Sequence, residues 1–209
     1  YQAYLRGLEI FGDLSKPSMY QSLALFREAT EADPGFVEAW ALLAAAHLRL
    51  YWEEGGEVGL APDPTQVDAA KSALAQAEAL DPNSIQTLLS KAYYHYYGFR
   101  DYSSALIVLG RAEALAPNNT EVVGLRGFLL RRLGRMGEAA DALLQAYRSE
   151  PAWLGYNREA LATLVYADRC AEALELKAEV MARYPDNNGI LDLSAWAALA
   201  CAGDREETL

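Results

Sequence analysis

The sequence is poor in the side chains on which most enzymes and metal sites depend. It has 209 residues but only 2 His, 2 Cys and 3 Met. Cys170 and Cys201 stand far apart with no CxxC pair, which excludes a disulfide framework and a cysteine-rich metal site and suits a reducing compartment. No Walker-type Gly-x-x-x-x-Gly-Lys, Gly-x-Ser-x-Gly or His-Glu-x-x-His motif is present. We therefore expect no catalytic centre, cofactor or metal.

Positive charge and long apolar runs are also scarce. The chain holds 18 Lys and Arg against 29 Asp and Glu, for a formal net charge of −11 at pH 7. A surface this acidic repels a phosphate backbone, so direct nucleic-acid binding is not expected. No apolar run reaches the ~18 residues of a membrane span, and the first residues show no signal-peptide pattern. These features predict a cytoplasmic protein without membrane contact, and the helix-like ending suggests a segment of a longer chain.

Ala and Leu, by contrast, are abundant and together make up roughly a third of the chain. They are the strongest apolar helix formers, whereas the β-branched residues that favour strands are sparse. Hydrophobic residues make up 52% and charged residues 22%, which is a globular balance. The composition predicts an all-α protein.

Prolines reveal a repeat in this helical sequence. Pro34, Pro82, Pro117, Pro151 and Pro185 each follow an amphipathic stretch containing an Ala-Leu pair, and the last three intervals are 35, 34 and 34 residues. Proline removes an amide donor and keeps the preceding residue out of the helical region, so each helix should end there. A second set of helices is predicted near 37–51, 84–97, 120–133, 155–167 and 189–202, with turns opened by Gly98, Gly134 and Gly203.

This spacing resembles the tetratricopeptide-repeat family, in which a helix A with a Trp-Leu-Gly-Tyr-like pattern precedes a helix B with an Ala-Phe-Ala pattern and a closing proline. The matching residues are Trp40, Leu43, Ala44 and His47 in one helix A, and Phe26 and Ala29 before Pro34. The resemblance implies a right-handed superhelical solenoid of antiparallel helix pairs, with the A helices lining a concave surface. The expected single domain, 1–209, divides into repeats 1–36, 37–84, 85–119, 120–153 and 154–187 and a partial repeat 188–209.

The opening repeat and the two histidines add further expectations. The opening repeat, with Gly7 at a close-packing place, is similar to tetratricopeptide regions of bacterial adenylate cyclase-like or winged-helix transcriptional regulators. That similarity implies part of a larger bacterial regulator, acting in signal transduction or transcription regulation. His47 and His95 occupy equivalent places where the family favours a packed aromatic, so both are expected to be structural.

The second repeat contains about 14 extra residues, 52–65, with two prolines and three glycines. This composition predicts a loop that interrupts the helix. Long loops inside compact domains are often functional. The segment is therefore either a surface extension or a flap over the groove, with Trp52 as a contact.

By resemblance, one face of each A helix should line a peptide-binding groove. Tyr and Arg are frequent interface anchors, and Arg can grip a carboxylate with two parallel hydrogen bonds. The alternative is that the tyrosines are core and the arginines a solvated surface. The predicted groove residues are Leu42, Arg49, Tyr93, Tyr96, Tyr97, Phe128, Arg131, Arg132, Arg158 and Tyr166.

The expected function is non-catalytic binding of a protein or peptide, with an acidic or C-terminal segment favoured by the cluster of arginines at 126–135. The Lys/Asn carboxylate clamp of chaperone-binding relatives is not evident, which disfavours chaperone tails. The alternative is a small-molecule sensor, with Tyr93, Tyr97 and Trp52 enclosing a ligand beneath the 52–65 loop. Self-association is also predicted, through an exposed apolar helix at Leu191–Leu199.

Overall fold

The computed structural model describes residues 1–13, 15–56, 61–152 and 154–202, and these residues form helices joined by short turns without any strand. The all-α prediction is confirmed. The helices are α1 (Gln2–Phe11), α2 (Lys16–Ala32), α3 (Val37–Gly56), α4 (Thr65–Leu80), α5 (Ile85–Tyr93), α6 (Tyr102–Leu115), α7 (Thr120–Arg132), α8 (Met136–Ser149), α9 (Leu154–Tyr166), α10 (Cys170–Arg183) and α11 (Asn188–Ala202). A π-helical segment, Tyr94–Gly98, continues α5.

The prolines end the even-numbered helices as predicted. Helices α2, α4, α6, α8 and α10 each stop two residues before a proline. The residue between helix and proline leaves the helical region; Asp33, for example, has φ −141° and ψ 93°. Steric conflict with the proline ring favours this extended backbone, so the stop is encoded locally.

A periodic left-handed residue shapes three of the turns that follow the odd-numbered helices. Arg100, Gly134 and Asp168 have φ values of 54°, 75° and 60°, and they are 34 residues apart. Gly134 fits its predicted role, because glycine has no Cβ to clash in this conformation. The prediction for Gly98 is wrong, since Gly98 lies in the π-helical segment and Arg100 takes the left-handed position. Gly203 lies outside the described residues.

The chain divides into two compact units, Tyr1–Ala116 and Pro117–Leu209. In the first unit, α3 packs against α2, α4 and α5. These neighbours surround α3, so almost every residue from 41 to 50 is buried. The single domain over 1–209 stays a prediction.

The second unit stacks α7 and α8 on α9 and α10, with α11 packed against α9 and α10. Small residues allow this close packing. A Cβ added at Gly127 would lie 2.6 Å from Cγ of Leu143, and one added at Gly124 would collide with the Tyr156 ring. The side chains of neighbouring helices thus fill the space that glycine leaves open.

The predicted loop at 52–65 is wrong at its first five residues and at Thr65, which begins α4. Trp52 to Gly56 continue α3, while residues 57–60 lie outside the described part of the chain. Trp52 packs on the rings of Tyr96 and Tyr97, with centroid distances of 5.3 and 5.0 Å. These ring contacts stabilise the extra turn, and the glycines fall at the helix end, where they are tolerated.

The structure pairs the two cysteines, although their distance along the chain did not indicate a bond. Cys170 and Cys201 are bonded, with their Cα atoms 5.4 Å apart. Helices α10 and α11 are joined by a short turn and run antiparallel, so the first residue of α10 meets the last turn of α11. The two cysteines are 31 residues apart in the sequence, nearly one repeat, but are neighbours in the structure.

Candidate functional site

Successive odd-numbered helices of the second unit line a cleft of about 680 Å³, here called the arginine cleft. Helix α7 supplies two of its arginines, α9 forms its floor, and α11 supplies apolar side chains. Four of the predicted groove residues meet here, although their role in binding stays a prediction. The lining residues are Arg131, Arg132, Met136, Arg158, Glu159, Ala162, Tyr166, Leu193 and Trp196.

Arg131 is fixed in place within this cleft. Its Nη1 lies 2.5 Å from Oε2 of Glu159 and donates a hydrogen bond of 3.3 Å to Oγ1 of Thr163. Its guanidinium also lies 5.9 Å from the centroid of the Phe128 ring. Glu159 therefore neutralises Arg131 locally and orients it.

Arg132 and Arg158 are both exposed to solvent and add positive charge to the same cleft. With Arg131 balanced by Glu159, the lining side chains carry a net positive charge, although the whole chain carries −11. Guanidinium groups present several donors in a planar fork that matches a carboxylate. The cleft is therefore suited to an anionic group.

An aromatic pair forms the apolar wall of the arginine cleft. Tyr166 is 60% exposed, and its ring meets that of Trp196 edge to face at 5.8 Å. Sequence reasoning missed Trp196 and Leu193, because the stretch around them was assigned to self-association. The 34-residue period could have found Trp196, since it lies one repeat after Ala162, which is four residues beyond Arg158 and therefore on the same helix face.

Comparing equivalent positions of the 34-residue repeat shows where the cleft lacks a side chain. Phe128, Ala162 and Trp196 occupy equivalent places in three successive repeats. Phe128 and Trp196 are half-buried against the core, whereas Ala162 offers only a methyl group at the cleft floor. The missing ring volume at Ala162 leaves space that a ligand side chain could fill.

The first unit contains a smaller cleft of about 430 Å³, here called the aromatic cleft. The rings of Trp52 and Tyr97 form one side, and Tyr97 stacks on Tyr93 with a centroid distance of 5.2 Å and an interplanar angle of 9°. The Arg100 guanidinium lies 5.7 Å from the Trp52 ring centroid. The lining residues are Tyr51, Trp52, Gly55, Pro62, Tyr97, Gly98, Phe99 and Arg100.

Leu42 and Tyr96, both predicted to line the groove, are instead core residues with 3% exposure each. Leu42 packs in a cluster with Met19 and Phe26, because α3 is surrounded by helices. Tyr96 turns inward because the π-helical segment adds a residue to the turn. An α-helix turns by 100° per residue and would place Tyr93, Tyr96 and Tyr97 on one face, but the wider π-helical turn does not.

Two further predicted groove residues mainly support the fold. The Arg49 guanidinium lies 4.3 Å from the Phe11 ring centroid, and its Nη1 donates a hydrogen bond to the Phe11 carbonyl oxygen. Arg49 thus ties α3 to the end of α1. Phe128 is half-buried and stacks on Tyr156 with a centroid distance of 6.5 Å.

Both histidines have ring contacts within the first unit. His47 is 6% exposed, and its Nδ1 lies 2.7 Å from Oε1 of Gln66. Burial lowers the pKa of His47 below its ordinary value. His95 meets the Tyr94 ring edge to face at 6.0 Å. These contacts agree with the structural role predicted for the two residues.

Within the described ranges, no cluster of three or more His, Cys, Asp or Glu side chains could hold a metal ion. None of the helices in that part of the chain combines the length and apolar character of a membrane span.

The architecture is similar to that of solved tetratricopeptide-repeat proteins. TTC0263, a thermophilic TPR protein of Thermus thermophilus, matches with a TM-score of 0.73 and 20% identity, covering 95% of this chain and 98% of its own. PilW, a type IV pilus biogenesis factor, matches with a TM-score of 0.69 and 16% identity, and the match covers 99% of this chain and 87% of PilW. YrrB, described as a TPR protein with an unusual peptide-binding site, matches with a TM-score of 0.54 and 19% identity, and the match covers 87% of this chain and 84% of YrrB.

No protein-family model matches the chain, and no curated protein matches it. At these identities the solved structures show the fold, and the chain has the tetratricopeptide-repeat fold.

Proposed function

We propose that the chain is a non-catalytic protein-interaction module whose arginine cleft binds an acidic segment of a partner protein. The segment can be internal or can be the C-terminus of the partner, with its free carboxylate. The observation that carries this proposal is a positively charged, aromatic-walled cleft on an acidic chain. The peptide-binding site named for YrrB supports a peptide as the class of ligand.

The arrangement suits an acidic peptide in two ways. Arg132 and Arg158 can donate charge-assisted hydrogen bonds to carboxylates, while Tyr166 and Trp196 can pack against an apolar neighbour in the peptide. The acidic remainder of the chain opposes binding weakly, because charges more than about 8 Å away are largely screened at physiological salt. Local complementarity therefore outweighs the overall charge.

A display library of random peptides with free C-termini tests this proposal. Selection on the native chain should enrich peptides rich in Asp and Glu, and the double variant Arg132→Glu/Arg158→Glu should lose them. Arg148→Glu, an exposed arginine on α8 outside the cleft, should keep them. The proposal would be contradicted if the selected peptides were not enriched in Asp and Glu, or if the double variant still bound them.

A small-molecule sensor is the second candidate, favoured by the aromatic cleft. Its volume of about 430 Å³ falls in the range of small-ligand sites, and half of its lining residues are aromatic. A thermal-shift screen against metabolites would support this function if a compound raised the unfolding temperature of the native chain but not of Trp52→Ala.

The cellular location and the pathway of the protein are predicted from the sequence alone. A cytoplasmic location and a place in a larger bacterial regulator remain predictions. A lasting bond between Cys170 and Cys201 would require an oxidising compartment, because in the cytoplasm such a bond forms only transiently.

A further inference from the structure

The disulfide joins the ends of two helices of the second unit, one of which lines the arginine cleft. Cys170 is the first residue of α10, and Cys201 lies in the last turn of α11. Helix α11 also carries Leu193 and Trp196, which line the cleft. The bond therefore joins the helix that forms the apolar wall to the body of the second unit.

Helix α11 contacts the rest of the second unit through small buried side chains and through Leu193 and Trp196, which are partly buried. Its buried core residues include Ala197 and Ala200, which are 0% and 8% exposed, while Leu199 is 50% exposed. An alanine buries little apolar area compared with a leucine, so each such contact stabilises the helix weakly. A covalent link between α10 and α11 adds a restraint to these contacts at the C-terminal end of α11.

Neither cysteine of the pair is fully buried. Cys170 and Cys201 are both partly exposed, although Cys201 also packs against the core. Cys170 also begins a helix, where the unsatisfied amide groups favour a thiolate. A partly exposed disulfide with such a leaving group is accessible to attack by a dithiol.

We propose that the Cys170–Cys201 pair is a redox clamp that regulates ligand binding at the arginine cleft. This inference rests on the proposed function for that cleft. When the disulfide forms, two thiols release two protons and two electrons to a disulfide oxidant; a dithiol reductant returns them through a mixed disulfide. The oxidised state holds α11 with Trp196 against Tyr166, and the reduced state loosens that wall.

The test uses the full chain and a fluorescein-labelled acidic peptide selected on its oxidised form. Fluorescence anisotropy should give several-fold weaker binding after reduction with dithiothreitol, with thiol titration verifying both states. The variant Cys170→Ser/Cys201→Ser should bind like the reduced chain and ignore the reductant. Hydrogen exchange at 188–202 should accelerate at least about tenfold on reduction, while exchange at 120–149 should not change.

Each other outcome has a definite meaning. Equal affinity in the two verified states would overturn the clamp and leave the proposed function standing. If no acidic peptide binds either state, the proposed function fails; faster exchange in α11 would then still support the clamp, and unchanged exchange would overturn it. Free thiols in the chain after oxidation would also overturn it.

Discussion

At the residue scale, the arginine cleft depends on one small side chain. Ala162 holds the place that Phe128 and Trp196 fill with rings in the neighbouring repeats. We predict that Ala162→Phe fills the cleft and weakens the binding of a selected acidic peptide at least about tenfold, because losing one well-packed anchor costs ~1.4 kcal/mol or more.

The control for this prediction adds the same ring elsewhere. Ala178 is exposed on α10 and does not line the cleft, so Ala178→Phe should leave the affinity unchanged. Isothermal titration calorimetry measures both variants, and circular dichroism should show native helix content in each. Undiminished affinity in folded Ala162→Phe would place the ligand elsewhere.

A pH dependence also belongs to a single residue. Burial lowers the pKa of His47 in the folded chain, so its neutral form is favoured there. The stability that it contributes is present above the unfolded-state pKa of about 6.5 and is lost as the pH falls below that value. Urea unfolding between about pH 7 and 5 should show a steeper loss of stability for the native chain than for His47→Phe; parallel curves would contradict this.

Individual contacts were the hardest features to predict from the sequence. The period and the residue types identified Arg131, Arg132, Arg158 and Tyr166, which the structure brings together. They could not show that Glu159 on another helix neutralises Arg131, because that pairing depends on how the two helices stack. The burial of Leu42 depends in the same way on the neighbours of α3.

At the element scale, two equivalent turns contain the same Arg–Glu ion pair, but the arginine of only one of them also contacts a second helix. Arg135 pairs with Glu138, and 34 residues later Arg169 pairs with Glu172. Arg169 alone of these two arginines also bridges to α8, with Nη1 2.6 Å from Oδ1 of Asp141 and 3.3 Å from the Gly137 carbonyl oxygen.

This difference predicts unequal effects on stability. Arg169→Ala should lower the free energy of unfolding by about 1 kcal/mol, because it breaks a partly exposed network between helices. Arg135→Ala should have a smaller effect, since only a local exposed pair is lost. Chemical denaturation of both variants measures the difference, and an equal or reversed order would show that the bridge to α8 does not stabilise the fold.

Helix boundaries were the most predictable elements, because proline and the 34-residue period act locally. The end of α3 was not predictable in this way, since the helix persists through Trp52 by packing on Tyr96 and Tyr97. The π-helical segment was missed for the same reason. Local propensity yields to tertiary contacts where aromatic rings meet.

At the scale of the whole molecule, the predicted self-association through Leu191–Leu199 stays a proposal. Leu199 is 50% exposed on α11, and an exposed apolar helix favours association. Light scattering should show a mass that rises with concentration for the native chain and not for Leu199→Glu. Leu174→Glu, at a similarly exposed leucine on α10, should behave like the native chain. A constant monomer mass for the native chain would contradict self-association.

Binding of an acidic peptide in the arginine cleft of the second unit can be mapped by photo-crosslinking. A selected acidic peptide with a photoreactive group is used, and mass spectrometry identifies the attachment sites. We expect attachment to residues 131–136, 154–166 and 188–202, and competition by the unlabelled peptide. Attachment concentrated at 51–56 and 97–100, or on the exposed faces of α8 and α10, would contradict it.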